Sequence, residues 1–373
     1  MERLSVAIVG AGALGLCTAF ELTELGVTEV TVLERDHVAS GSSGLSVGII
    51  ETQYLEPLAI ELRVHSMCFF ARLEAEAGLG IVRNGYLRLG HGAADLAAFE
   101  RSVQIQRELG VEDAQVLDRA GLQRLVPDLR RDDLAGGLFG PSDGYVDGHL
   151  YCNVLADLLR DRGVRILPKT EPLGVDGRRL ATSGPTLEVD VIVNAAGAWA
   201  GEVGELLGAP VRILPERHQA LVAHLPQELA YVMPSVMDYI PGSGGLGLYF
   251  RHESGTSLIA GLHTEEPYEE LPEHAFMDEV ATRLAGRLPR LASARLGGLW
   301  SGLYPISPDG FPSVGPYRDR PTVVAALGAG GSGLQSSPAI GRIAAEWIVF
   351  GEPRSMPTAA ALLPDRPSLV AGA

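Results

Sequence analysis

Lysine is nearly missing from this 373-residue chain: Lys169 stands alone beside 29 arginines, so lysine chemistry is confined to one position at most. Cysteine is scarce too. Cys17, Cys68 and Cys152 are odd in number, far apart and each set in a run that reads as helical, which excludes a disulfide framework and predicts reduced, buried thiols. Aromatic residues make up only 6 % of the chain, which argues against an all-β module. No apolar run reaches the ~18 residues of a membrane span. The stretch Val6 to Phe20 is no signal-peptide core either, because it lacks a basic leader and is broken by Gly10, Gly12 and Gly15. A cytoplasmic location is therefore expected. The formal charge of −16, with the basic residues scattered, leaves no patch for nucleic acid or an anionic membrane surface. Neither CxxC nor HExxH occurs, so no metal centre is expected.

What is present in quantity is glycine, with 46 residues, in a chain that is 46 % hydrophobic. That composition and a length of two to three ~150-residue domains point to a large α/β enzyme with ample core. Its amino-terminal end carries the first chemical signal. Val6-Ala-Ile-Val9 is an apolar run of the kind buried on both faces of a parallel sheet, and it enters Gly10-Ala-Gly-Ala13-Leu-Gly15 directly. A helix is predicted to Leu25, ended by Gly26, and a second strand, Glu29 to Leu33, delivers Glu34 where a carboxylate meets a ribose hydroxyl. Glycines give the tight turn, the approach to a pyrophosphate and the close helix packing, while the helix N-terminus faces the phosphates. Two later segments return to the same place: the hydroxyl-rich Ser40-Gly-Ser42-Ser43-Gly44 and the strand Val191-Ile-Val-Asn-Ala-Ala196-Gly197. Such returns argue for a long, permanently buried ligand, FAD rather than exchangeable NAD.

These residues resemble the D-amino-acid oxidase superfamily of FAD proteins, nearest its sarcosine oxidase β-subunit, dimethylglycine dehydrogenase and proline dehydrogenase β-subunit branches. The matching text includes Ile8 to Gly15, Gly41-Ser-Ser-Gly44, Asn84-Gly-Tyr-Leu87, Asp143-Gly-Tyr-Val-Asp147, Asn194 to Trp199, Pro215-Glu-Arg-His-Gln219, Gly302 to Pro312 and Gly328 to Pro338. The resemblance covers about residues 3 to 352. It implies an α/β (α+β overall) fold in which a Rossmann-like FAD-binding domain of glutathione-reductase type is interleaved with a β-sheet substrate domain. The flavin domain would take residues 1–83, 141–207 and 300–351, and the substrate domain residues 84–140 and 208–299, leaving 352–373 as a Pro/Ala-rich tail. Strand-rich segments at 215–224 and 246–262 and an amphipathic covering helix over Ala275 to Leu288 agree with that division.

The resemblance extends the cofactor contacts to Arg35, Ser46, Val47, Gly48, Trp199, Gly302 and the run Gly330, Gly331, Ser332, Gly333, Leu334 and Gln335. This last glycine loop opens a helix predicted to Phe350, whose N-terminus would stabilise negative charge on the reduced flavin by up to ~2 kcal/mol. Covalent attachment is not expected, since the tethering cysteine and histidine places hold Gly302 or Leu303, and Leu45. Where relatives grip adenine through a backbone N–H and C=O, this chain has Pro172, which offers only the carbonyl.

Amine oxidation in this superfamily relies on orientation and a dry cavity rather than on elaborate acid–base machinery. Three places where relatives anchor a substrate carboxylate hold Glu51, Gln335 and Tyr304, neutral or reversed in sign, which argues against simple sarcosine and toward a cationic or polyfunctional amine. Tyr249 and Arg251 alternate onto one strand face, with Arg251 balanced between a replacement anchor and a solvated strand residue. Tyr54, Tyr239, Trp300 and His263 are further aromatic candidates, while His218 reads as part of a structural strand entrance and His65 as a packed or surface residue. Lys169 precedes the adenine-side strand and is not expected to reach the flavin, so a dehydrogenase or slow oxidase is favoured. Oxygen or another acceptor would take the electrons. Oxidation of a hydroxy compound, or a flavin-binding subunit needing a partner chain, are the alternatives, and a homo- or hetero-oligomer is open.

Overall fold

The computed structural model describes residues 4–240, 246–263 and 273–370. The outermost residues of the spans proposed from sequence, 1–3 and 371–373, and the stretches 241–245 and 264–272 of the substrate segment lie outside the described residues.

The apolar run near the start becomes the strand Ser5–Val9, which lies in the middle of a six-stranded sheet. Its parallel neighbours are Glu29–Leu33 and Val191–Asn194, so that Ile8 faces Val32 on one side and Val193 on the other. Arg165–Leu167 and Arg320–Leu327 extend the sheet in parallel, and Ser313–Tyr317 closes one edge antiparallel. The inner stretches of these strands are apolar because elements cover both faces of such a sheet. On one face lie the helices Ala13–Glu24, Gly148–Asp161 and Gly333–Phe350. The first and last of these approach so closely that a Cβ on Gly341 would sit 2.6 Å from the Cys17 carbonyl carbon. The predicted helix from Gln335 starts two residues earlier, at Gly333, and ends as expected at Gly351 in a left-handed conformation.

The second sheet has eight strands in the order 295–306, 214–224, 257–263, 247–254, 235–238, 86–90, 136–140, 115–118. Among its described residues only the pair Ser235–Asp238 with Tyr86–Gly90 is parallel. The expected covering helix is Glu273–Arg287, and it buries Phe276, Val280 and Leu284 at the i, i+4, i+8 spacing of one helical face. Strand Arg295–Ile306 belongs to this sheet, and the chain leaving it runs through residues 307–312 into the edge strand of the other. That loop joins the two sheets at the site described below.

One sequence reading changes. Cys17 and Cys152 are buried thiols, but Cys68 is exposed: on the helix Pro57–Ala77 it points away from the face that buries Phe69, Phe70 and Leu73. The residues after Glu352 also fold back onto the protein. Met356, Ala359 and Leu362 enter the core beside the helix Gly333–Phe350. No described helix is long and apolar enough to cross a membrane.

Candidate active site

The turn after the first strand opens a long cleft. Gly10 has φ +110°, and a Cβ there would lie 2.5 Å from the Ala195 carbonyl oxygen. Gly15 is under the turn, where a Cβ would fall 2.0 Å from the Gly10 carbonyl oxygen. Neither place admits a side chain, so the helix Ala13–Glu24 presents its N-terminus to the cleft at the end of the strand. The Ala13 N–H donates to Ser43 Oγ at 3.0 Å, which sets the hydroxyl-rich loop across that helix end. Glu34 reaches back along the cleft, its carboxylate accepting from Ala11 N–H at 2.9 Å and Asp36 N–H at 2.8 Å and keeping lone pairs for a further donor. The Arg35 guanidinium lies 4.1 Å above the Trp199 ring on the same wall.

The predicted cofactor residues Gly10, Gly12, Ala13, Glu34, Arg35, Ser42, Ser43, Ser46, Val47, Pro172, Ala196, Gly197, Trp199, Gly302, Gly330, Gly331, Gly333 and Leu334 all line this cleft. Four do not. Gly15 and Gly48 sit behind it, Gly48 at φ +75° against the Val146 carbonyl, and Ser332 and Gln335 line a second cavity. A bare-backbone slot with one helix N-terminus and a carboxylate at one end, and a second glycine loop opening a helix at the other, fits the shape and charges of FAD. Leu45 and Gly302 face each other, with a Gly302 Cβ only 3.4 Å from the Leu45 Cβ, so no nucleophile stands at either tethering place.

The second cavity, of about 640 Å³, shares Ser46, Val47, His218, Tyr249, Tyr304 and Gly331 with the cleft. At this junction Tyr304 stacks on His218 with centroids 3.9 Å apart and planes within 17°. The ring lies flat on Gly331, where a Cβ would come within 2.5 Å of it. His218 is thus part of the cavity wall, a correction to its reading as a strand-entrance residue. Burial and the nearby His263 push its pKa down to about 3, so it is a neutral imidazole. His263, packed edge-on against Tyr239 at 4.9 Å, is likewise held down to about 4 by burial and by Arg88. Trp300 differs from its expected place. It lines the cofactor cleft, with its indole N–H donating to the Leu45 carbonyl at 2.9 Å.

Of the expected substrate residues, Glu51, Tyr249, Tyr304 and Gln335 line the second cavity, and Arg251 lines neither space. Arg251 is buried, with Nε bonded to the Val47 carbonyl at 2.7 Å, an ion pair to Glu253 and the Tyr145 ring 3.8 Å away. It is neither solvated nor placed to meet a ligand. Glu51 is joined to Gln335, whose Oε1 accepts its N–H at 3.2 Å and whose Nε2 donates to Tyr54 at 3.3 Å. Burial holds the Glu51 carboxyl above the usual range, against the opposing pull of Arg88 and Arg63. Behind it Asp143, also raised by burial and by Glu51, accepts from Gln53 Nε2 at 2.8 Å.

Arg63 and Arg88 are the cavity residues that sequence reasoning missed. Arg88 is fixed by bonds to the carbonyls of Gln53 at 3.0 Å and Tyr239 at 3.1 Å. Arg63 is 4 % exposed, stacks 3.4 Å over the Tyr54 ring and donates from Nη1 to Ala59, while its buried Nε has no partner. The motif Asn84-Gly-Tyr-Leu87 stops one residue short of Arg88, but nothing local marks Arg63. The sole lysine, Lys169, is paired with Asp36 at the surface.

The chain matches the family described as FAD dependent oxidoreductase (DAO) over residues 5–347. It is 28 % identical to mitochondrial sarcosine dehydrogenase of Homo sapiens, an alignment covering 94 % of this chain and 40 % of the relative, so the chain spans less than half of that protein's length. It is 26 % identical to glycine oxidase of Geobacillus kaustophilus over 93 % of each chain. Among solved structures, L-proline dehydrogenase from P. horikoshii superimposes with a TM-score of 0.84 at 25 % identity, over 94 % of both chains. The cleft floored by glycine and the extent of this match converge: the chain belongs to the DAO family of FAD-dependent oxidoreductases.

Proposed function

We propose that the chain oxidises the C–N bond of an N-substituted amino acid or a similar carboxylated amine to an imine, which water then converts to a carbonyl product. FAD, when bound, supplies the two-electron acceptor. The interleaved division into flavin and substrate segments expected from sequence is the arrangement we adopt, with the flavin held without a covalent bond.

The observation that carries the substrate reading is Arg63: a buried guanidinium in the wall of the cavity beside the flavin cleft, with an unpartnered Nε. A charge in such a place calls for an anionic partner, and a carboxylate matches it as a strong charge-assisted acceptor. It takes over from the three lost anchor positions. The neutral rings of His218, His263, Tyr239 and Tyr304 exclude water and offer π faces to the amine end. A volume of about 640 Å³ suits a ligand larger than a glycine derivative. With Lys169 at the surface, no lysine stands by the cavity to assist oxygen, which supports transfer of electrons to another acceptor.

The test is anaerobic mixing of the holoenzyme with N-alkyl amino acids, the parent amino acids and the matching amines without a carboxylate. The flavin's visible band should bleach with N-alkyl amino acids and stay with the decarboxylated amines. Equal bleaching by both sets, or by neither, overturns the proposal.

A further inference from the structure

The segment after Glu352 forms a strap bonded to two elements that line the second cavity, the helix Pro57–Ala77 and the loop 307–312. Met356, Ala359 and Leu362 anchor it in the core, and Thr358 bonds to Glu61 on the helix that carries Arg63. Beyond them, Arg366 turns back to the loop 307–312, which lines the cavity. Its Nε and Nη2 each meet one oxygen of Asp309 at 2.7 Å, a fork-on-fork pair, and Nη2 also donates to the Phe311 carbonyl at 2.9 Å. Nη1 donates to the Leu362 carbonyl at 3.0 Å, tying the guanidinium to its own strap. Ser368 adds a bond to Asp309, and Asp365 accepts from the Arg318 N–H at 2.6 Å.

Within the loop, little else holds the backbone. Gly310 has φ +77° and donates to the Ser307 carbonyl at 2.9 Å, and the Phe311 N–H bonds to Asp309. Asp309 is therefore the hub through which the strap fixes the wall. We propose that Arg366 is a positioning residue for substrate, acting through Asp309 to hold loop 307–312 in the shape that the ligand meets. The inference rests on the reading of this cavity as the amine site.

Two measurements on full-length holoenzyme test it. In Arg366→Met, amide exchange in a peptide covering 306–313 should quicken by about tenfold or more, because the local opening loses its charge-assisted bonds, while exchange in 5–33 stays unchanged. The concentration of N-alkyl amino acid giving half-maximal flavin reduction should rise by a similar factor, with the limiting rate altered less than about threefold. Arg366→Lys, which keeps the charge and loses the fork, should fall between the two. A chain ending at Asp365, retaining Met356, Ala359 and Leu362, should reproduce Arg366→Met if that variant folds poorly. Unchanged exchange at 306–313 refutes the strap. Faster exchange with unchanged substrate concentration dependence refutes the positioning role. Failure of every carboxylated amine to reduce the unsubstituted protein refutes the assigned reaction instead, and the exchange result still decides the strap.

Discussion

Replacing Arg63 with methionine removes the charge on which the substrate assignment depends while keeping most of the side chain's volume. Arg63 is 4 % exposed and its guanidinium lies 3.4 Å from the Tyr54 ring, so the new thioether would occupy the same apolar slot and keep a sulfur–aromatic contact. The protein loses one bond to the Ala59 carbonyl and the cation–π contact, at a cost to stability of about 1–3 kcal/mol. A substrate carboxylate loses a charge-assisted hydrogen bond worth about 1.5–3 kcal/mol, which corresponds to roughly 10- to 150-fold weaker binding. Anaerobic titration with an N-alkyl amino acid reads this directly, as a shift in the half-reducing concentration. The flavin-to-protein ratio should be unchanged, because Arg63 is outside the cofactor cleft. Arg63→Lys should recover part of the loss. Binding within twofold of the unsubstituted enzyme would show that the carboxylate goes elsewhere.

Three further outcomes follow from the geometry. Arg251→Met should lower the melting temperature by several degrees, through loss of its bonds to Val47 and Glu253, with substrate affinity moving less than about threefold. Glu51 is held above the ordinary carboxylate range, so its contribution to stability is full below that range and is lost as pH rises through the elevated value. The fall in melting temperature as pH rises above the ordinary carboxylate range should accordingly be smaller in Glu51→Gln than in the unsubstituted protein, and an equal fall would contradict the assigned burial cost. Acid precipitation should release the yellow colour into the supernatant, and colour kept in the pellet would point to a covalent link that Leu45 and Gly302 do not provide.

The cofactor cleft was legible because its determinants are local. An apolar run, glycines whose Cβ would strike backbone, and a carboxylate one strand later fix their own geometry, and the observed strands and helix ends fall within two residues of expectation. The second cavity was less so, because its charges are defined by what they face. Arg63 reads as one more arginine on a mixed helix, and only the packing of that helix against loops from elsewhere buries it and leaves its Nε without a partner. Arg251 shows the converse: alternation placed it correctly on the strand, but not the Val47 carbonyl that occupies it. His218 looked structural from its neighbours in sequence, whereas its stacking partner Tyr304 is on another strand. Cys68 failed as a buried thiol because the helix phase that buries Phe69 and Phe70 turns it outward.

The order of strands in the six-stranded sheet bears on how the protein is made. Ser5–Val9 is made well before its partners: one neighbour is Val191–Asn194 and the next strand beyond it is Arg320–Leu327. The glycine loop and helix that face the far end of the cleft, Gly330 onward, come later still. A nascent chain can pair Ser5–Val9 with Glu29–Leu33 early, but the other edge of Ser5–Val9 stays unpaired until residues 191–194 have been synthesised. Capture of the dinucleotide is therefore a late event, and a truncated product would carry the phosphate turn without a pocket in which to keep its ligand.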